Sequence, residues 1–226
     1  MPYTKRYLVI LIFKVRFCFF VNFLWTILIF VIWHDTVFSE RGVLTTKSKN
    51  WKNWKAILDS KTCYDCRRTH GKIYAISEKV KPYPPLHNFC RCIIEILEAI
   101  LAGNATKKGV EGADWYLKYY KELPDYYISK NDAKALGWRH KKGNLSLVAP
   151  GKMVFGGIYY NENGKLPSAE NRVWYEADIN YSSGKRNEER ILFSNDGLIF
   201  VTYNHYETFI EVKWGNNIYG NNKIGF

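Results

Sequence analysis

Two groups of residues in this 226-residue chain have the types and spacing for chemistry. The first is Cys63-x-x-Cys66 followed by Cys90-x-Cys92, with His70 and His87 close by. Thiolate and imidazole are soft ligands, and four thiols at these short spacings suit a tetrahedral zinc ion. The same thiols could instead close two disulfides, although a fifth cysteine, Cys18, makes the count odd and argues against a fully paired framework. The second group, Lys130, Glu176, Arg186, Arg190 and His205, lies in the C-terminal half, which has no cysteine and must fold on its core alone. A carboxylate, an imidazole and several cations supply a base, an acid and positive charge around phosphorus, the needs of cutting a phosphodiester by an internal hydroxyl. Taken without further context, residues so widely spaced read equally well as surface charges.

The elements that must position the second group follow from periodicity. Trp115, Tyr116, Tyr119 and Tyr120 fit one helical face, ended by Leu123-Pro124-Asp125. Ser129 is an N-cap for a second short helix, with Asp132 in its first turn and Gly137 closing it. After Gly143 the signals turn to strand: Met153 to Tyr159, Val173 to Ile179, Arg190 to Ser194, Leu198 to Tyr203 and Thr208 to Val212 are rich in β-branched and aromatic residues. Turns such as Asn163-Gly164, Ser183-Gly184 and Asn195-Asp196-Gly197 separate them. Helices followed by closely spaced strands predict an α+β fold with an antiparallel sheet.

Upstream, the run Ile93 to Leu101 reads as a helix, and 102–109 as a polar, glycine-punctuated linker. The expected division is therefore a hydrophobic segment at 1–40, a Cys-rich segment at 41–105 and a C-terminal domain at 106–226. In the first of these, apolar residues run from Tyr7 to Phe13 and from Phe17 to Trp33, interrupted by Lys14 and Arg16. This reads as a signal-anchor or overlong signal peptide, giving membrane contact through residues 7–33 and everything after Trp33 outside. No small-x-small site follows within His34 to Arg41, which favours retention over cleavage. A buried core helix, or an N-terminus that is not part of the working protein, is the alternative.

The net charge of +12 sits almost wholly in the first half. Residues 110–226 carry 15 Lys+Arg against 14 Asp+Glu, and residues 1–109 carry 18 against 7. Any anion recognition by the C-terminal half must rest on a local cluster of cations.

The stretches Leu-Pro-Asp-Tyr-Tyr-Ile-Ser-Lys (123–130), Ala-Leu-Gly-Trp (135–138), Lys-Gly-Asn-Leu (142–145) and Val-Ala-Pro-Gly-Lys (148–152) resemble the barnase-type microbial ribonucleases. So do Asn-Gly-Lys-Leu-Pro (163–167), Glu-Ala-Asp-Ile-Asn-Tyr (176–181) and His-Tyr-Glu-Thr-Phe (205–209), in the family's order. The resemblance implies N-terminal helices packed on a twisted antiparallel β-sheet whose open face binds RNA, here preceded by a hydrophobic helix and a small Cys-rich segment. It also implies Glu176 as general base and His205 as general acid in forming a 2′,3′-cyclic phosphate, with the roles reversed in its hydrolysis. Lys130, Arg186 and Arg190 match the cations around the scissile phosphate, and Tyr206 an aromatic that contacts substrate. Asp178 matches a buried carboxylate that orients the two arginines, Arg172 and Asp196 a salt bridge, and Trp138 and Trp174 core aromatics. Lys152 and Lys165 read as solvated charges.

Asn161, Glu162 and Asn163 fall in the family's base-recognition loop, and there the pattern breaks. Where the family has an Arg and then a Glu that accepts two N–H donors from guanine, this chain has Glu162 and Asn163. An amide oxygen offers less than a carboxylate, so guanine preference should weaken unless Glu162 takes its place. The reversed charge also puts recognition by that family's own acidic inhibitor in doubt.

Around the cysteines, Thr-Cys-Tyr-Asp-Cys, His70-Gly-Lys and Pro-Pro-Leu-His-Asn-Phe-Cys-Arg-Cys resemble the C-terminal tail of phage head-morphogenesis (minor head) proteins. Together the two resemblances imply a toxin: a delivery remnant followed by a monomeric endoribonuclease that needs no cofactor for catalysis. It would be secreted or membrane-anchored, would act on RNA in a target cytoplasm, and would be held in check by an acidic inhibitor (immunity) protein. Structural zinc at Cys63, Cys66, Cys90 and Cys92 is favoured over disulfides, although export would favour oxidation. The other class of reading is a phage-derived structural or binding protein whose nuclease domain no longer cuts.

Overall fold

The computed structural model describes residues 37–38 and 44–214, so the expected hydrophobic helix within 1–40 lies outside the described residues. Among the described residues, no helix is long and apolar enough to cross a membrane. The chain divides into two units, Met1–Thr46 and Lys47–Phe226. In the first, β1 (Val37–Phe38) pairs antiparallel with the opening residues of β2 (Leu44–Lys55), Val37 opposite Thr45.

The second unit is α+β, with short helices and one large mixed sheet. After β2 come α1 (Tyr64–Thr69), β3 (Ile73–Ala75) and β4 (Ile93–Leu101). A 3₁₀ turn at Gly109–Glu111 leads into α2 (Ala113–Tyr119), β5 (Tyr127–Ser129), α3 (Lys130–Ala135) and α4 (Leu145–Val148). A meander completes it: β6 (Met153–Tyr159), β7 (Trp174–Asp178), β8 (Arg190–Ser194), β9 (Ile199–Thr202) and β10 (Ile210–Lys213). The strand order is β2-β4-β10-β9-β8-β7-β6-β5, with β3 paired to β2.

The five strands expected after Gly143 form the antiparallel run from β6 to β10. The sheet as a whole is not antiparallel: β5 runs parallel to β6, and β4 parallel to β10. The helix expected over Ile93 to Leu101 is strand β4, a correction with a plain cause. An isoleucine-rich run exposed at Ile93 and Ile96 and buried at Leu97, Ala99 and Ile100 carries no decisive period, and β-branched side chains fit a strand once a distant partner, here β10, is available.

β4 and β3 join the C-terminal half through its core. Ile73 and Leu97 pack in one buried cluster with Leu166, Trp174, Leu192, Phe200 and Phe209. Each such side chain contributes about 1.5–3 kcal/mol by leaving water. The cysteines close a second cluster with Trp54, Ala56, Tyr74 and Val80, and Trp138 anchors a third, in which Ala133, Leu145 and Ala149 cover Val154 of β6. The stretch 102–109, expected as a linker, is a folded turn around Asp114. That carboxylate is fully buried and accepts from Gly103 N at 2.7 Å, Ala105 N at 2.9 Å and Thr106 Oγ1 at 2.8 Å.

Candidate active site

β7 carries the carboxylates. Side chains alternate along a strand, so Glu176 and Asp178 project from one face, two residues apart. Opposite them β6 is bulged between Phe155 and Gly157, and Gly156 is there for lack of a side chain: a Cβ at that position would collide with the Glu176 carboxylate. Lys130, the first residue of α3, is set by the Ser129 cap, whose hydroxyl accepts from Asp132 N at 3.1 Å. Its Nζ lies 3.3 Å from Glu176 Oε1, with the carboxylate only 13% exposed. Tyr206 donates its hydroxyl to the other oxygen, Oε2, at 2.5 Å. Burial, and then the charge of Glu176, push the Tyr206 phenol well above its ordinary pKa.

Asp178 is fully buried and binds both arginines. Arg186 donates from Nε at 2.7 Å and Nη2 at 2.5 Å, a two-pronged pair. Burial works against the Arg186 charge, but Asp178 outweighs it and its pKa rises. Arg190 Nε lies 3.1 Å from Asp178 Oδ1, close enough for ion pairing but without hydrogen-bond direction. Its Nη1 is fixed instead by the carbonyls of Asn187 and Glu189, both at 2.7 Å. Nη1 of Arg186 and Nη2 of Arg190 make no hydrogen bond among the described residues, so each guanidinium keeps a donor edge for an anion.

His205 and Tyr206 stand in a tight turn after β9, and both have left-handed backbones, φ 52° and 67°. Such conformations persist in non-glycine residues only where neighbours over-determine them. Here His205 N donates to Glu188 O, Tyr206 N to Thr202 Oγ1 and Thr208 N to Asn204 Oδ1. The His205 imidazole is exposed, its ring 5.0 Å from that of Tyr206. The Tyr206 ring also stacks on Tyr159 at 5.3 Å and 15°.

The structure thus brings Lys130, Glu176 and Tyr206 into one hydrogen-bonded set, beside the set Asp178, Arg186 and Arg190, with His205 adjoining through Tyr206. The Arg172–Asp196 salt bridge forms at 2.7 Å, and Trp138 and Trp174 are buried. In the loop 161–166 the three residues are placed differently. Asn161 is turned inward, its amide donating to Leu166 O at 2.9 Å and accepting from Leu166 N at 3.0 Å, so it closes the loop and is spent on it. Glu162 and Asn163 are exposed at the tip. Lys165, expected as a solvated charge, is half-buried and donates to the carbonyls of Tyr206 at 3.2 Å and Glu207 at 2.9 Å. Its place beside the recognition loop was the available signal. Lys152 also has a partner, Asp125 O at 2.8 Å.

In the Cys-rich segment, His87 Nε2 lies 3.2 Å from Cys63 Sγ and 3.3 Å from Cys66 Sγ, and Cys66 Sγ lies 3.6 Å from Cys90 Sγ. Two overlapping ligand groups result, Cys63/Cys66/His87 and Cys66/Cys90/Cys92, sharing Cys66. His87 Nδ1 faces Asn88 O at 2.8 Å, which turns the Nε2 lone pair toward the thiols, as a metal-binding histidine requires. The four thiols are free of disulfides. This donor set fits a soft divalent ion, and it includes His87, which the cysteine spacing alone did not single out. His70 is a structural residue, its Nδ1 accepting from Ala56 N at 3.1 Å.

A ribonuclease family model matches residues 113–213, and a model for Phage Mu protein F like protein matches residues 39–95. Among known proteins, a ribonuclease of Heyndrickxia coagulans is 52% identical over 103 residues, 46% of this chain and 94% of that relative. Ribonucleases of Bacillus intermedius and Bacillus pumilus are likewise 52% identical over 103 residues, and the matched part spans 64% of their length.

Proposed function

Since the chain belongs, through its C-terminal half, to the barnase-type ribonuclease family, we propose that it is an endoribonuclease that cuts single-stranded RNA by way of a 2′,3′-cyclic phosphate. The observation that carries this is the pairing on β7: a carboxylate flanked by Lys130 and Tyr206, two residues from a buried carboxylate that holds two arginines. Glu176 takes the proton of the ribose 2′-hydroxyl as that oxygen attacks phosphorus. His205 donates a proton to the departing 5′-oxygen, then activates water to open the cyclic ester. Charge builds on the phosphoryl oxygens in the transition state, and the Arg186 and Arg190 edges meet it with Lys130. Because Asp178 fixes Arg186, and the carbonyls of Asn187 and Glu189 fix Arg190, beforehand, little reorganisation is needed at the moment of reaction.

The full chain should cleave RNA in EDTA and leave cyclic phosphate ends, with Glu176→Ala and His205→Ala inactive; an inert wild-type chain would sink this reading. Dinucleotides differing in the base 5′ of the cut test the recognition loop. Full guanine preference would show that Glu162 and Asn163 do not weaken it.

We further propose that the protein is a toxin, exported or membrane-anchored through residues 7–33 with its catalytic domain outside, and paired with an acidic inhibitor protein. We also propose a structural zinc ion held by Cys66 and three of the donors around it, from the thiols of Cys63, Cys90 and Cys92 and the His87 imidazole, which zinc analysis of protein prepared under reducing conditions tests. The match to Phage Mu protein F like protein favours a second reading, a phage-derived structural or binding protein with an idle nuclease domain. The same cleavage assay separates the two.

A further inference from the structure

The turn that follows α1 lies against the candidate active site. Gly71 N donates to Trp54 O and Trp54 N to Lys72 O, both at 2.9 Å, so β2 holds the turn in place. Gly71 has φ 79°, and a Cβ on it would collide with the carbonyl oxygen of Glu207, two residues after His205. Two residues further on, Ile73 N donates to Lys165 O at 2.8 Å. Lys165 in turn donates from Nζ to Tyr206 O and Glu207 O. The Ile73 side chain is buried in one cluster with Leu166, which ends the first loop, and Phe209, which follows the second. In the Heyndrickxia relative the matched part takes up 94% of the length, which leaves no place for a counterpart of residues 47–101.

We propose that Gly71–Ile73 and Lys165 form a brace that positions the catalytic turn. The turn of the Cys-rich segment pins the loop Asn161–Leu166, and Lys165 from that loop ties down the carbonyls behind His205 and Tyr206. The reason a brace matters here is the left-handed backbone at both of those residues, which a loosened turn would abandon. Gly71, Ile73 and Lys165 are positioning residues, acting through the turn and touching no substrate. The inference rests on the ribonuclease reading, because positioning is measured by what it does to cleavage.

The test uses the full chain and a dinucleotide substrate. Lys165→Met keeps the stem and removes the donor; Gly71→Ala pushes on Glu207 from the other side. Each should lower kcat about tenfold with KM changed less than about twofold, since the cations Lys130, Arg186 and Arg190 that would hold the phosphate are untouched while the proton donor drifts. Lys165→Arg, which keeps a donor, should recover most of the loss. The double variant should lose little beyond the worse single, because both act through one turn. If both single variants keep kcat within about twofold of wild type, or if the losses multiply in full, the brace is overturned and the ribonuclease reading stands. An inert wild-type chain overturns both. Should Gly71→Ala fail to fold, the Met and Arg variants at 165 decide the matter alone: equal kcat in the two overturns the brace.

Discussion

The Tyr206 hydroxyl donates a 2.5 Å hydrogen bond to Glu176 Oε2, so the Glu176 carboxylate has a partner on each oxygen. In the proposed mechanism a substrate 2′-hydroxyl takes the place of one of them. Tyr206→Phe removes a hydrogen bond to a charged group, worth about 1.5–3 kcal/mol, and should lower the denaturant midpoint by a corresponding amount. Cleavage should fall, but less than in Glu176→Ala, because the base itself remains. Activity equal to that of Glu176→Ala would make Tyr206 part of the chemistry itself.

Alkaline pH should unfold the protein through its buried phenols. Tyr126, Tyr127 and Tyr206 are all raised above the ordinary tyrosine value of 10.0, in each case first by burial. The folded state then keeps protons that the unfolded chain gives up. Their contribution to stability is complete below pH 10 and declines as pH rises toward the folded values. Unfolding free energy measured from pH 8 upward should be level and then fall, and tyrosinate absorbance should show these phenols titrating late. Tyr206→Phe should shallow the fall.

Gly156→Ala should disable the site with little change in hydrophobic core. The added methyl occupies the space of the Glu176 carboxylate, which must swing away from Lys130 and Tyr206. A displacement of about 1 Å in a reacting group costs on the order of 10²-fold in rate. Steady-state kinetics on RNA check this, and a rate within a few-fold of wild type would show that the bulge can adjust.

Asp178→Asn should be felt first in stability. Arg186 and Arg190 are almost wholly buried against that carboxylate, and removing its charge leaves two cations without their counter-ion. Breaking a buried pair in this way costs about 3–5 kcal/mol. Denaturant unfolding gives the cost directly, and retained kcat/KM in the folded fraction would show that Arg190, held by the carbonyls of Asn187 and Glu189, suffices without a fixed Arg186.

How far this was legible depended on the range of the signal. β6 falls on the Met153 to Tyr159 span read from its β-branched and aromatic residues, and Ser129 caps α3 as its side-chain chemistry predicts. Both are local. The Arg172–Asp196 bridge and the arginines on Asp178 also came through, but from the family resemblance, since no spacing rule links 178 to 186 and 190. What escaped was set by long-range pairing. β4 looked helical until β10 supplied a ladder partner, and Lys165 looked solvated because its acceptors are carbonyls some forty residues away. The resemblance placed Asn161 in the loop, but the direction of its amide, toward the Leu166 backbone, depends on the loop's closure and is not visible in sequence.

The parallel pairing of β4 with β10 bears on how the chain should be cut for study. A fragment beginning near residue 106 would present β10 as an open ladder, with the N–H and C=O groups of Glu211 to Lys213 that now face Ala99 to Leu101 left for any passing strand. It would also uncover the apolar surface on which Leu97 and Ile73 rest. Such a fragment invites self-association, and a truncation that clumps would say nothing about whether the intact enzyme is active. Solubility trials should therefore start upstream of β2.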